Sequence, residues 1–292
     1  MAHAQLQGVQ HGRIHVAFVR QEAQQGLGIL AGQLMRHVGL TPQFHSQGIA
    51  ARSQGELVAQ LGLKGPLKRL ADVTLLPPIT DPAKVVCIGL NYHAHAAEGG
   101  FKVPEFPSVF GRFTNTLVAS GQPMIRPEHS GDFDYEGELA IIIGRGGRHI
   151  KAADALGHVF GYTCFNDGSV RDFQFKHSLT AGKNHPSTGG LGPWITDASE
   201  IPDPSKLTLV TRVNGREVQR KGTDDMIFNV PAIIEYVSGW TDLEPGDVIA
   251  TGTPEGVGFA RKPPLWLKPG DVVEIDISSI GVLVNPVVAE KR

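Results

Sequence analysis

The chain has 292 residues, of which 41% are hydrophobic and 19% are charged, and its formal net charge is −2. This composition suits a folded protein with a large core and excludes wholesale disorder. The charges form no block of one sign, which excludes a nucleic-acid footprint and a membrane-surface patch. Its 36 glycines and 20 prolines favour a turn-rich β architecture.

The two cysteines, Cys87 and Cys164, lie in apolar segments. This placement favours buried, reduced thiols over a disulfide and predicts a cytoplasmic protein. The N-terminal segment has no continuous apolar core, so no secretory signal is expected. No apolar run reaches the roughly 18 residues that a membrane span needs.

The N-terminal part predicts a small domain that precedes a larger one. A strand is expected over residues 13–19, with a hairpin partner near 26–30, and a helix over 54–63. An extended segment with prolines at 73–79 marks the boundary. The predicted organisation is a flexible leader (1–12), a small α+β domain (13–79) and a larger domain (80–292).

The larger domain alternates short strands with a few short helices. A buried strand at 84–89 precedes an Ala-rich helix that ends at Gly99-Gly100, and this glycine pair lets the helix move as a lid. The pattern predicts a β-rich α+β fold, a mixed roll or barrel. Further predicted elements are strands at 139–143 and 159–165, helices at 168–175 and 228–239, and a hairpin around Asn214-Gly215.

Two glutamates stand at the start of the strand at 139–143. Glu136 and Glu138 point to the same face, about 7 Å apart along the strand. Such a buried pair is costly without a cation, and hard divalent ions take carboxylate oxygens. Asp167, at the end of the strand at 159–165, joins them if the two strands are neighbours. The alternative is an exposed edge strand with solvated glutamates.

The short lid helix carries a second candidate. His95 and Glu98 are three residues apart and share a helix face, so the carboxylate can raise the basicity of the imidazole. Such a pair can take a proton from water. The alternative is a surface contact, and His93 is a rival base on another face.

Two further groups could bind an anionic substrate. Arg171, Gln174 and Lys183 are long donors that could hold a carboxylate or a developing enolate. Alternatively, each is an exposed surface side chain. The glycine-rich loop 251–258, with Thr253, could hold an anion through its backbone N–H groups, or could be a simple tight turn.

In combination, these motifs resemble the fumarylacetoacetate hydrolase family. The order and approximate spacing match over roughly residues 75–288. The preceding residues resemble the small variable N-terminal domain that many members carry. The matching motifs are Gly-Leu-Asn-Tyr at 89–92, Tyr-Glu-Gly-Glu-Leu-Ala at 135–140, Asn166-Asp167, Gly182-Lys183, Leu-Gly-Pro-Trp at 191–194 and Thr-Gly-Thr-Pro at 251–254.

The resemblance implies a mixed β-roll, a homodimer and a divalent metal, Mg²⁺ or Mn²⁺, with Ca²⁺ as a substitute in crystals. The implied metal ligands are Glu136, Glu138 and Asp167. The lid helix would bring His95 and Glu98 to activate water, and Lys183 would stabilise a carbanion or enolate. The remaining candidates, all for substrate binding, are Arg171, Gln174, Thr253, Arg112 and Tyr92.

The implied activity is hydrolysis of a C–C bond in a small β-diketo or acylpyruvate-type acid. One alternative is an isomerase or decarboxylase of a related 2-oxo or hydroxymuconate-type acid in aromatic catabolism. Another is a metal-binding protein without catalysis. Larger members supply a fourth carboxylate ligand from the segment at 89–92, where this chain has Asn91, so a water is expected there. The segment 185–190 also departs from the family pattern.

Overall fold

The structure, a computed structural model, describes residues 3–6, 15–20 and 74–291. Among them, no helix is both long enough and apolar enough to cross a membrane. The helices are α1 (His93–Glu98), α2 (Arg171–Lys176), α3 (Leu179–Lys183) and α4 (Val230–Trp240). The strands are β1 (His3–Leu6), β2 (His15–Arg20), β3 (Thr74–Leu75), β4 (Val85–Gly89), β5 (Ser108–Gly111), β6 (Leu117–Val118), β7 (Met124–Arg126), β8 (Phe133–Asp134), β9 (Gly137–Ile143), β10 (Val159–Asn166), β11 (Ser169–Val170), β12 (Gly189–Asp197), β13 (Thr208–Val213), β14 (Arg216–Gly222), β15 (Val248–Ala250), β16 (Val272–Ile277) and β17 (Gly281–Ala289).

Two large sheets dominate the described part. The first has the order β1-β2-β12-β10-β9-β15-β4-β5, and the second has the order β14-β13-β16-β17-β7. Most neighbours are antiparallel, but β15 with β4 and β17 with β7 are parallel. This mixed, strand-rich α+β arrangement confirms the predicted fold class.

Strand β9 lies in the middle of the first sheet, and its seven residues are all buried. Leu139, Ile141 and Ile143 pack into the larger core cluster, together with residues of α4 such as Ile233. Ala140 and Ile142 point the other way, into a second cluster that includes Phe165. Because both faces are covered, the strand reads as a continuous aliphatic run without polar alternation.

The N-terminal predictions are tested only in part. Residues His3–Leu6 form a strand paired with β2, and the flexible leader over 1–12 stays a prediction. Strand β2 also pairs with β12, which joins it to the first sheet. The hairpin partner at 26–30 and the helix at 54–63 lie outside the described residues, and the domain boundary near residue 80 stays a prediction.

The predicted hairpin around Asn214-Gly215 is confirmed, since β13 and β14 pair across it. The predicted helix at 168–175 is shorter: residues 169–170 form β11, and the helix begins at Arg171. The helices after β4 and before β15 lie where expected.

Candidate active site and metal centre

The register of two antiparallel strands brings three carboxylates together. Glu136 immediately precedes β9 and Asp167 immediately follows β10, and the pairing sets Gly137 opposite Asn166. The Asp167 N–H donates to the Glu136 carbonyl at 2.9 Å. Carboxylate oxygens of Glu136, Glu138 and Asp167 all lie within 4.8 Å of one another, and all three residues are buried. The convergence on which the metal hypothesis depends is therefore present.

Three buried cations surround this cluster. Lys183 Nζ lies 2.6 Å from Glu136 Oε2 and 2.6 Å from Asp167 Oδ2. Arg171 Nη2 lies 2.6 Å from Glu136 Oε1. Arg112 forms an ion pair with the other oxygen of Asp167. Ion pairs that are buried this deeply are stable only when their charges and hydrogen bonds are matched, so the loss of one partner would destabilise the others.

Glu138 is the exception in this network. Among the described residues it forms no ion pair with a lysine or arginine; its Oε2 accepts a hydrogen bond from the Gly252 N–H at 2.9 Å. Burial, and next the charges of Asp167 and Glu136, raise the pKa of Glu138 well above its usual range. The cluster therefore holds one carboxyl group that lacks a positive partner.

Glu136 behaves in the opposite way. Burial alone would raise the pKa of Glu136, but the charges of Lys183 and Arg171 outweigh burial and lower it to about 2. For Lys183 burial favours the neutral amine, yet Asp167 and Glu136 prevail and raise its pKa. Glu136 and Lys183 are therefore both charged at neutral pH.

The donor set fits a hard divalent cation. Such ions bind carboxylate oxygens and fill their remaining positions with water or substrate. A cation here would supply the charge that Glu138 lacks. Asn91 provides no ligand, because its amide donates to the Phe228 and Thr251 carbonyls and accepts from the Phe228 N–H, at 2.8 to 2.9 Å.

The predicted His–Glu pair lies above the same site. Tyr92 ends the extended segment before α1, and the helix then places His95 Nδ1 3.4 Å from Glu98 Oε2. The Gly256 N–H holds both Glu98 oxygens, at 3.0 and 3.1 Å. With Nδ1 turned to Glu98, Nε2 is the ring nitrogen that can exchange a proton with a molecule in the site.

A cavity of about 220 Å³ connects these groups. Seven of the predicted residues line it, and four phenylalanines form part of its apolar wall. The size suits a small acid. The predicted residues in the lining are His95, Glu136, Glu138, Arg171, Gln174, Lys183 and Thr253, and the aromatic ones are Phe101, Phe110, Phe175 and Phe259.

Four predicted residues do not line this cavity: Glu98, Asp167, Arg112 and Tyr92. For Arg112 and Tyr92 this differs from the expected contact with substrate. Arg112 lies behind Asp167, where Nη1 also donates to the Gly168 carbonyl at 3.1 Å and Nη2 to Thr188 Oγ1 at 2.8 Å. It orients the carboxylate instead of meeting substrate. Tyr92 is fully buried in the core, since its ring packs in the main hydrophobic cluster.

The family model of the fumarylacetoacetate (FAA) hydrolase C-terminal domain matches residues 84–288. The chain belongs to this family. It resembles Homo sapiens oxaloacetate tautomerase FAHD2A, mitochondrial, with 41% identity over 251 residues, or 84% of this chain and 79% of the relative.

Solved structures of the FAA hydrolase family share the fold. A 2-hydroxyhepta-2,4-diene-1,7-dioate isomerase from Mycobacterium marinum is 40% identical, with a TM-score of 0.69 over 79% of this chain and 83% of that one. A fumarylacetoacetate hydrolase from Exiguobacterium antarcticum is 32% identical, with a TM-score of 0.73 over 99% of this chain and 100% of that one.

Sequence reasoning missed two parts of this FAA hydrolase site. Asp134 is fully buried and pairs with Arg171 at 2.8 Å, which holds the guanidinium against Glu136. The signal was visible, because Asp134 continues the same alternation as the two glutamates. Gln219, on β14 of the second sheet, donates a hydrogen bond from Nε2 to Thr253 Oγ1 at 2.9 Å. No local pattern indicates that contact.

Proposed function

We propose that the chain is a metal-dependent isomerase that exchanges the keto and enol forms of a small 2-oxo acid. The observation that carries this proposal is that His95, Lys183 and two carboxylates of the cluster, Glu136 and Glu138, line one small cavity. A proton carrier, a fixed positive charge and a cation site are the parts that enolisation requires. Two of the relatives described above are named for tautomerase or isomerase activity, which supports this reaction over C–C hydrolysis.

Glu136, Glu138 and Asp167 would hold the metal, for which Mg²⁺ or Mn²⁺ is proposed. When bound, the cation would polarise the substrate carbonyl and neutralise negative charge on its oxygen. The fit of a divalent cation to this cluster rests on Glu138, which is a buried carboxyl group without a positive partner among the described side chains.

The protein side chains would move the proton. His95 Nε2 would take a proton from the carbon next to the carbonyl, and the same imidazolium would return it to the oxygen, so the composition of the acid is unchanged. Glu98 would hold the ring and stabilise the imidazolium. Because the hydrogen bonds of Lys183 point to Glu136 and Asp167, its charge would act on the enolate through space.

The aromatic walls support isomerisation. Phe110 is buried, and Phe259 stacks on the Arg171 guanidinium, whose Cζ lies 4.5 Å from the ring centroid. Apolar walls exclude water, which strengthens the electrostatic contacts inside and limits hydrolysis. The substrate is therefore proposed to be a small oxo acid whose carboxylate and carbonyl face the carboxylate cluster.

A second candidate is C–C hydrolysis of an acylpyruvate-type acid, which the His95–Glu98 pair favours because it could activate water. Decarboxylation of an oxo acid would need the cluster and Lys183 but no activated water. A homodimeric assembly and a cytoplasmic location stay predictions. Neither a nucleic acid nor a membrane is proposed as a partner.

One panel separates these reactions. The full chain is incubated with enol oxaloacetate, hydroxymuconate-type acids and acylpyruvates, in Mg²⁺ and in EDTA. Mg²⁺-dependent loss of the enol absorbance without pyruvate or cleavage products supports the isomerase. Cleavage of acylpyruvates as the fastest reaction would establish the hydrolase instead, and release of CO₂ the decarboxylase. Activity on none of them would favour a binding protein.

Two variants of α1 give a matched comparison. His95→Ala is expected to lower isomerisation by about 10²–10⁴-fold, the usual contribution of general acid–base catalysis. His93→Ala removes an exposed histidine of the same helix and should leave the rate unchanged. Equal rates in both variants would exclude His95 as the proton carrier.

A further inference from the structure

A pair of histidines lies outside the cavity lining, on a different set of loops. His129 follows β7, and His185 follows Lys183 at the end of α3. Their Nε2 atoms face each other at 3.1 Å. Phe173 of α2 packs edge-on against both rings, with centroids 4.8 Å from His129 and 5.0 Å from His185. The packing of Phe173 therefore holds the two imidazoles with their Nε2 atoms facing each other.

This spacing is close to that of two metal ligands. Imidazole nitrogens bind Zn²⁺ at about 2.0–2.1 Å, and a tetrahedral angle then separates two of them by roughly 3.3–3.4 Å. The observed 3.1 Å needs an opening of only a few tenths of an ångström. His185 Nδ1 is buried and has no hydrogen-bond partner in the part of the chain that the structure describes, so the Nε2–Nε2 contact with His129 is the hydrogen bond that sets the tautomer of this ring.

Oxygen ligands are at hand on the same surface. A cavity beside the pair is lined by Glu128, His129, Glu290 and Lys291. The Glu128 N–H donates to Glu290 Oε2 at 3.0 Å, which holds this carboxylate at the cavity. Glu290 is also close enough for its charge to act on the His185 ring. Two nitrogens, with the Glu290 carboxylate on the shared cavity wall and a position left for water, would make a set of borderline character.

We propose that His129 and His185 form a second metal site, with Glu290 as an oxygen ligand, that takes a borderline divalent cation such as Zn²⁺ or Cu²⁺. The site is chemically distinct from the carboxylate cluster, which offers oxygen only. It does not depend on the proposed isomerase activity. An ion here joins three segments that are remote in sequence: the loop after β7, the segment after Lys183 and the end of β17.

The test uses the full chain with excess Mg²⁺, which is added to fill the proposed carboxylate site. One equivalent of Cu²⁺ is added, and electron paramagnetic resonance reports nitrogen ligands through their superhyperfine coupling. Wild type is expected to show coupling to two imidazole nitrogens. His129→Gln should lose this signal and bind Cu²⁺ at least about tenfold more weakly in a chelator competition. The matched control is His177→Gln, an exposed histidine that packs on Phe173 but lies outside the pair.

A second readout guards against misfolding of a variant. Zn²⁺ added over Mg²⁺ should raise the melting temperature of wild type and of His177→Gln, but not of His129→Gln. Since His129 is exposed, its replacement should leave the circular dichroism spectrum unchanged. Identical Cu²⁺ spectra and affinities in wild type and His129→Gln would overturn the proposal, as would a wild-type spectrum without nitrogen coupling.

Discussion

Replacing Glu138 by glutamine should stabilise the metal-free protein and weaken its binding of metal. Glutamine keeps the size of the side chain, and its carbonyl oxygen can still accept the Gly252 N–H. The change removes a buried negative charge that has no cationic partner among the described residues. A buried group left without compensation costs about 1–3 kcal/mol or more. In EDTA near neutral pH, Glu138→Gln should therefore be more stable than wild type.

The expected size follows from the scale of thermal unfolding. One kcal/mol shifts the melting temperature of a domain this large by roughly 2–4 °C. A gain of about 1–3 kcal/mol in the free energy of unfolding then raises the melting temperature by roughly 2–12 °C. Saturating Mg²⁺ should reverse the order, because binding at about 1,000-fold above Kd stabilises wild type by about 4.1 kcal/mol, and the variant has lost a charged ligand.

The pH dependence has a definite sign. Because the pKa of Glu138 is raised in the folded state, the folded protein binds the proton more tightly than the unfolded chain does. The stabilisation that this proton binding gives is fully present below the carboxyl pKa of the unfolded chain, roughly 4.3. It is lost as the pH rises toward the raised pKa of the folded state. The gap between the variant and wild type in EDTA should therefore widen from acidic to neutral pH.

Calorimetry in EDTA and in Mg²⁺, at acidic and neutral pH, measures all these effects. Glu235→Gln, on the exposed side of α4, is the matched control and should show no reversal. The reasoning is refuted if Glu138→Gln is less stable than wild type in EDTA at neutral pH, or if Mg²⁺ stabilises the variant as much as wild type.

Three further variants test separate parts of the site. Lys183→Met should lower kcat by about 10²–10³-fold while the Mg²⁺-induced melting shift persists; loss of that shift would mean that the lysine is needed for metal binding. Asn91→Ala removes three hydrogen bonds of a buried side chain and should cost about 2–4 kcal/mol in urea unfolding without weakening Mg²⁺ binding, whereas weaker binding would make Asn91 a ligand. Gly256→Ala should lose stability by about 1–2 kcal/mol, because φ is +94° and a Cβ would meet the Val218 carbonyl oxygen. The same change should distort the contact to Glu98 and alter the pH–rate profile, and an unchanged profile would exclude this loop as the support of Glu98.

Local patterns were sufficient for several parts of this protein. The buried aliphatic run after Glu138 predicts β9, and the Ala-rich segment before Gly99-Gly100 predicts the helix that carries His95. These signals are readable because periodicity and glycine punctuation act over a few residues. The strand at His3–Leu6 was not predicted, because it gains its partner from β2 and a local pattern does not reveal that pairing.

The alternation along one strand was enough, in the sequence alone, to place Glu136 and Glu138 on one face and to raise the question of a cation. Only the tertiary structure decided that Asp167 joins them, because this depends on the register between β9 and β10. It also decided that Arg112 lies behind Asp167 and that Glu138 has no charged partner among the described residues. Such outcomes depend on contacts between residues far apart in the chain, where burial, not spacing, sets the balance of charge.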